Sequence, residues 1–213
     1  MKTEDLVTLL ASEAQPVRRG AARRQLGVAM VVALPLSAAI MLAGYGLRPG
    51  LLASLGDAMA WIKIVLPAAI AAAGFLALQR LARPGVRVRG AWAALAGPVL
   101  VVWVLGLLAW SGAAPEERPA LLWGSTWRTC VFNIALIAAP FFVASMLALR
   151  SLAPTRPMRT GAVAGAMAGG AGAAVYALHC PELAAPFLAV WYVLGIALPA
   201  LIGAFVGRAL LRW

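Results

Sequence analysis

The chain has 213 residues, of which 63% are hydrophobic, and its mean hydropathy is +0.91. Soluble domains are about 45–50% apolar, so this composition excludes an ordinary soluble domain and indicates one helical membrane domain. The formal charge of +11 would suit a nucleic-acid-binding protein only if the basic residues gathered on one polar face. They lie between apolar runs instead, so we expect no direct contact with nucleic acid.

Residues 1–25 form the one polar stretch long enough to fold outside a membrane. The pattern predicts a short helix with Thr3 as its N-cap, acidic residues in its first turn and Pro16 at its end. The residues of this head that would contact a partner are Glu4, Asp5, Leu6, Leu9 and Leu10.

A helix of about twelve residues is only marginally stable alone in water, so the leucine side chains of this head need another surface to pack against. It can lie on the membrane or dock into the groove of a soluble partner. The acidic start favours the partner, because helices that lie on membranes usually carry Lys and Arg on their polar face.

Apolar runs of about 20 residues follow, which is the length that crosses a bilayer as a helix. They are continuous and do not alternate as the strands of a β-barrel would. The runs cover residues 26–47, 58–78, 91–110, 130–149, 161–178 and 186–206. We therefore predict an all-α fold in which residues 26–213 form a bundle of six transmembrane helices behind the head. Lys63 lies near the start of the second run, where a lysine can snorkel to the interface.

The basic residues predict the orientation of this bundle. Of the 18 Lys and Arg residues, 14 fall in the termini and in the connections on the same side. The other four are Arg48, Lys63, Arg118 and Arg128. Because positive charge marks the cytoplasmic side, both termini are expected to be cytoplasmic.

Prolines and glycines interrupt several runs. The prolines are Pro35, Pro67, Pro98, Pro140 and Pro199. They indicate either ordinary irregularity of membrane helices or hinges. Gly161, Gly165 and Gly169 lie four residues apart in the fifth run, and such ladders let helix backbones approach closely. This helix is expected either to be buried in the bundle or to form a dimer contact. The sequence does not decide between the two, so a homo-oligomer is kept as an alternative.

Polar groups deep in the runs, which transport and membrane catalysis usually need, are scarce. Asn133 is the main exception, and no acidic residue lies in the middle of a run. This counts against a proton-coupled transporter and an intramembrane hydrolase. HExxH, Walker and GxSxG motifs do not occur, so we do not expect an enzyme.

The stretch YALHCPE, residues 176–182, holds the single histidine and one of the two cysteines. The predicted topology puts Cys130 and Cys180 at similar depth, at the outer ends of consecutive antiparallel helices. A structural disulfide would need Cα atoms about 4.4–6.8 Å apart. A sensory thiol pair would respond to an oxidant or a soft metal, with His179 or Glu182 as a further ligand. Two unrelated, inert cysteines are the third interpretation. No cofactor beyond such a metal ion is expected.

Three segments together resemble the NrsF-type anti-sigma factors: MKTEDLVTLLASEAQPVRR at the start, YALHCPE followed by WYVLGI, and GRALLRW at the end. The resemblance covers the whole chain. It implies a multi-pass protein of the bacterial inner membrane that holds an extracytoplasmic-function sigma factor inactive and releases it under envelope stress. It also implies that the head binds the sigma factor and that Cys130 and Cys180 sense a metal or an oxidant.

One departure concerns the head. Many membrane anti-sigma factors carry a cytoplasmic zinc domain with a His-Cys-Cys signature, whereas this head has no Cys or His. Its contacts with a sigma factor would therefore be apolar and charged.

Two other functions stay open on the sequence. A small transporter or channel would use the kinked helices and Asn133, and would not need residues 2–20. A thiol-redox membrane protein would turn over at Cys180, although the lack of a CxxC motif gives it little support.

Overall fold

The computed structural model describes residues 3–13, 20–82, 89–152 and 154–212. Within these ranges the chain is helical and contains no strand, which confirms the predicted all-α class. The described residues form nine α-helices in succession: α1 Thr3–Glu13, α2 Ala21–Gly44, α3 Ala58–Leu81, α4 Arg89–Gly112, α5 Arg118–Trp123, α6 Trp127–Arg150, α7 Pro157–Tyr176, α8 Ala185–Phe187 and α9 Val193–Leu210. A 3-10 turn, Ala53–Gly56, precedes α3, and a π-helical turn, Leu188–Tyr192, joins α8 to α9.

Five helical stretches of the described chain are long and apolar enough to cross a membrane: Ala21–Gly44, Ala58–Leu81, Gly90–Gly112, Arg118–Arg150 and Ala185–Leu210. They correspond to five of the six predicted runs. The remaining run falls on α7, which is a 20-residue helix built mostly from Ala and Gly. These small residues make α7 less apolar than its neighbours.

The helices do not end where the apolar runs end. α2 already begins at Ala21 and takes in Arg23 and Arg24, because a helix can continue past the apolar part that a membrane requires. It stops at Gly44, short of the predicted end, and Gly46 turns the chain with a φ of 74°. The predicted prolines all lie inside helices, in α2, α3, α4, α6 and α9.

α7 is the central helix of the bundle. It packs on α3, α6 and α9, while α2 flanks α6, and α4 flanks α3 and the segment before α9. A Cβ added to Gly161 would overlap the carbonyl oxygen of Gly203, and one added to Gly165 would overlap that of Pro199. The glycine ladder is therefore a backbone contact between α7 and α9 inside the bundle, and the predicted burial of this helix is confirmed.

α1 confirms that the head contains a short helix. It has 11 residues, Glu4 and Asp5 are exposed in its first turn, and the Thr8 hydroxyl donates to the carbonyl of Glu4 at 2.9 Å. The side chains of Leu6, Leu9 and Leu10, and the whole of Pro16, lie outside the described residues.

Candidate functional site

The segment 177–184, called the connector below, links α7 to α8 and contains the His-Cys-Pro-Glu cluster. Its first residues prolong the last turn of α7, since the backbone N–H of Cys180 donates to the carbonyl of Tyr176 at 3.1 Å. Pro181 has no backbone donor and follows where the helical turns end. Side chains from other elements donate hydrogen bonds to the carbonyls of Cys180, Pro181 and Glu182.

The strongest of these contacts comes from Lys63 of α3. Its side chain is only 2% exposed, and its ammonium donates to the carbonyl oxygens of Cys180 at 2.5 Å and Glu182 at 2.6 Å. The ring centroid of Tyr192 lies 5.5 Å from the same nitrogen. A buried charge is tolerated only when such partners replace water. The prediction that Lys63 snorkels to the interface is therefore wrong, because the connector supplies carbonyl acceptors inside the bundle.

The chain between α2 and α3 holds the other side of the connector. The backbone N–H of Arg48 donates to the carbonyl of Leu178 at 3.1 Å, and its guanidinium donates to the carbonyl of Pro181 at 3.4 Å. The His179 ring lies with Nδ1 3.0 Å from the carbonyl oxygen of Gly46. The connector thus contacts two separate parts of the chain through its backbone.

Glu182 fixes the far end of the connector to the bend between α5 and α6. Its carboxylate accepts hydrogen bonds from the backbone N–H of Ser125 at 2.7 Å and from the Ser125 hydroxyl at 2.6 Å. Gly124 has a φ of +51°, and a Cβ there would lie 2.6 Å from the carboxylate. Glycine at this position both permits the turn and leaves room for the carboxylate.

Three tryptophans brace the same bend. The ring centroids of Trp123, Trp127 and Trp191 lie between 4.7 and 5.5 Å from one another. The Trp191 indole donates to the carbonyl of Leu122 at 2.9 Å. This ties the π-helical turn to α5, so connector, bend and π-helical turn form one assembly.

The structure brings the two predicted cysteines together in one apolar cluster. Cys130, in the first turn of α6, and Cys180 are both 0% exposed and are free thiols. Tyr176 and Tyr192 belong to the same cluster.

The predicted third metal ligand points elsewhere. The His179 ring stacks at an angle between Tyr45 and Tyr176, with centroid distances of 5.3 and 5.8 Å. Over the described parts of the chain, no three His, Cys, Asp or Glu side chains are placed to hold one metal ion. His179 could therefore serve as a third ligand to a soft metal at Cys130 and Cys180 only if its ring turned.

Asn133, the one polar residue deep in a run that the sequence singled out, is engaged in packing. The Tyr45 hydroxyl donates to its side-chain oxygen at 3.0 Å, and its amide nitrogen donates to the Tyr176 hydroxyl at 3.4 Å. It thereby joins α6 to α7 and to the end of α2. The Tyr192 hydroxyl, in contrast, is buried and has no hydrogen-bond partner among the described residues.

Sequence reasoning did not assign Lys63, Arg48, Ser125 or Tyr192 to this site. The one available signal was a lysine inside an otherwise apolar run. Such a residue is a candidate for function because burial of its charge is costly.

Comparison with known proteins identifies the family. A family model described as NrsF, negative regulator of sigma F, matches residues 10–213. A relative from Azospira oryzae, named probable anti-sigma-F factor NrsF, is 40% identical over 213 residues, which is all of both chains. A relative from Caulobacter vibrioides, named anti-sigma-F factor NrsF, is 38% identical over 222 residues and also covers both chains fully.

No solved structure matches the chain. The family is regulatory, which confirms the expectation that the protein is not an enzyme. The match over residues 10–213 and the two full-length relatives show that the chain belongs to the NrsF family of negative regulators of sigma F.

Proposed function

We propose that this protein is an anti-sigma factor of the bacterial inner membrane, which sequesters an extracytoplasmic-function sigma factor and releases it on an envelope signal. The observation that carries the proposal is the full-length identity of 38–40% with two proteins named as anti-sigma-F factors. Five helical stretches among the described residues are apolar enough to cross a membrane, which supports a location in a membrane.

The sigma factor binds the head. α1 has 11 residues, too few to be stable alone in water, so a partner's groove is a natural cover for its apolar edge. Leu6, Leu9 and Leu10 have the spacing of neighbours on one side of a helix. The exposed carboxylates of Glu4 and Asp5 add charged contacts to a basic partner.

The bundle crosses the membrane six times, with α7 as the crossing that its neighbours shelter from lipid. Most of α7 is buried against α3, α6 and α9, so it does not need the apolar surface of a lipid-facing helix. An even number of crossings puts both termini on one side. The side with 14 of the 18 basic residues is cytoplasmic, and the connector faces the periplasm.

The signal acts at Cys130 and Cys180. An oxidant that accepts two electrons would join the two sulfurs in a disulfide, with loss of both thiol protons, whereas a soft metal ion would bind both thiolates. The thiolate is the form that reacts or binds metal, and burial of both sulfurs in an apolar cluster disfavours it, so the connector has to open before either thiol reacts. Turning of the His179 ring would supply a third metal ligand.

The signal reaches the rest of the bundle through the backbone. The Lys63 ammonium donates a hydrogen bond to the carbonyl of Cys180, so a movement of Cys180 would shift Lys63 and with it α3. α7 is in close backbone contact with α9, which makes its position sensitive to small movements. To switch binding off, the head must lose about 3–5 kcal/mol of affinity. A disulfide or a metal site contributes energies of that order.

The test of the anti-sigma role is co-purification from the native host. The protein carries a C-terminal tag, is solubilised in mild detergent, and is compared with a form in which Leu6, Leu9 and Leu10 are changed to Ala. A sigma factor should elute with the first and be lost with the second. Thr8→Ala, on the other side of α1, is the matched control and should keep the sigma factor. A folded protein that brings down no sigma factor would contradict the proposal and favour the transporter.

The test of the sensor is a separate experiment. Serine at both Cys130 and Cys180 should abolish the transcriptional response to oxidant and to soft metal, while the sigma factor still co-purifies. A double-serine form that still responds would show that the signal is sensed elsewhere, without affecting the anti-sigma assignment.

A further inference from the structure

A second cluster of charge lies at the end of the bundle opposite to the connector. There the start of α7 and the end of α9 border a cavity of about 520 Å³, called the arginine pocket below. It is lined by Arg156, Pro157, Met158, Arg159, Arg208 and Arg212.

The glycine contacts explain why these arginines converge. A Cβ on Gly207 would lie 2.6 Å from the carbonyl oxygen of Pro157, so α9 meets α7 without an intervening side chain. The close approach brings Arg208 in the last turn of α9 next to Arg156 and Arg159. The pocket is thus a consequence of the best-packed helix pair in the bundle.

The charge of the arginine pocket is not neutralised by the described part of the chain. All four guanidinium groups are exposed, and none has an ion pair or a side-chain hydrogen bond with a described residue. Carboxylates are scarce in this chain, with seven Asp and Glu residues in all, and Asp57, Glu116, Glu117 and Glu182 lie towards the connector end. Four like charges side by side repel one another unless an anion joins them.

The position of the pocket relative to the membrane indicates which anion binds there. Arg208 ends the stretch Ala185–Leu210, which is apolar enough to cross a membrane. Cations at the ends of such stretches lie at the level of the lipid headgroups. Met158, 52% exposed and part of the lining, offers apolar surface beside the guanidinium groups. Arginine forms paired hydrogen bonds with phosphate oxygens, so the pocket combines the contacts that a phospholipid needs.

We infer that the arginine pocket binds the phosphate headgroup of an anionic phospholipid, with an acyl chain along the apolar rim. A macromolecular partner would also find positive charge here, but it would have to reach the headgroup layer. The bound lipid would hold the start of α7 and the end of α9 together at the surface from which the head emerges.

The full-length protein in detergent is titrated with cardiolipin and, separately, with phosphatidylcholine, and bound lipids are counted by native mass spectrometry. The wild type should prefer cardiolipin, and Arg159→Gln with Arg208→Gln should reduce this preference by about ten- to thirtyfold. Arg150→Gln removes an exposed arginine outside the pocket and should change the preference less than about twofold. Arg159→Lys with Arg208→Lys keeps both charges and should retain most of the preference, and an unchanged melting temperature of the double glutamine variant shows that its loss of binding is not misfolding.

Three results would overturn the inference. The first is an unchanged cardiolipin preference in the double glutamine variant, or an equal loss in Arg150→Gln, which would indicate diffuse charge. The second comes from adding inorganic phosphate to the same native mass spectrometry titration: phosphate that binds the wild type and that cardiolipin does not displace would assign the pocket to a soluble anion. The third is a double glutamine variant that still binds cardiolipin but no longer co-purifies with a sigma factor, which would assign the pocket to the protein partner.

Discussion

The ammonium of Lys63 in α3 donates a hydrogen bond of 2.5 Å to the carbonyl oxygen of Cys180, a residue 117 positions further along the chain. The same nitrogen holds the carbonyl of Glu182 at 2.6 Å, so one side chain grips the backbone on both sides of Pro181. Chemistry at the Cys180 thiol and the position of α3 are thereby linked through a single residue.

Replacement of Lys63 by Met should destabilise the protein. Two buried carbonyls would lose their donor, and each unsatisfied group costs about 1–3 kcal/mol, partly offset because no charge is then buried. We expect a net loss of about 2 kcal/mol, measured as the denaturant dependence of tryptophan fluorescence in detergent. Arg128→Met removes an exposed cation that lies 5.2 Å from the Trp127 ring centroid and should cost less than about 1 kcal/mol. Equal stability of both variants would mean that the Lys63 contacts contribute nothing.

The contact between Glu182 and Ser125 should appear as a coupling energy. Glu182→Gln and Ser125→Ala each remove part of a charge-assisted pair of hydrogen bonds at 2.6 and 2.7 Å. A double-mutant cycle on unfolding free energies should give about 1 kcal/mol of interaction, because the site is partly open to water. Strictly additive single effects would show that the hydrogen bond from the Ser125 hydroxyl contributes nothing to holding the carboxylate.

The α7–α9 contact should tolerate no side chain. Gly165→Ala places a methyl group against the carbonyl of Pro199, so the helices must separate, and we expect a loss of about 3 kcal/mol or more. Gly27→Ala is the matched control in α2, because a Cβ there meets nothing within 4 Å. It should be neutral or slightly stabilising, since alanine favours helix over glycine. Thermal unfolding followed by circular dichroism compares the two variants, and similar melting temperatures would contradict the close contact.

Much of this architecture could be predicted from the sequence because it depends on local patterns. Apolar runs predict helices, a glycine every four residues predicts a close-packed face, and cysteines at the outer ends of two consecutive antiparallel runs are expected to lie near each other. The inward turn of Lys63 could not be predicted, since its direction depends on carbonyls 117 and 119 residues away. The hydrogen bonds from Ser125 to the Glu182 carboxylate also join residues that are distant in the sequence. Only the fold brings the α5–α6 bend and the connector together.

The burial of the thiols leads to a last prediction, on their accessibility. Cys130 and Cys180 are both 0% exposed, so a membrane-impermeant maleimide should label them slowly in intact cells of the resting strain. Labelling requires local opening of the connector, and the free energy of this opening determines the labelling rate.

Lys63→Met should lower that opening energy, and every 1.4 kcal/mol corresponds to about a tenfold faster reaction. We therefore expect labelling at least about tenfold faster than in the wild type, while Arg128→Met leaves the rate unchanged. The single variants Cys130→Ser and Cys180→Ser assign the label by mass spectrometry, and Cys180 should respond more strongly because Lys63 holds its own carbonyl. Rapid labelling of the resting wild type would mean that the thiols face the periplasm without an opening step, and the connector would then not gate access to them.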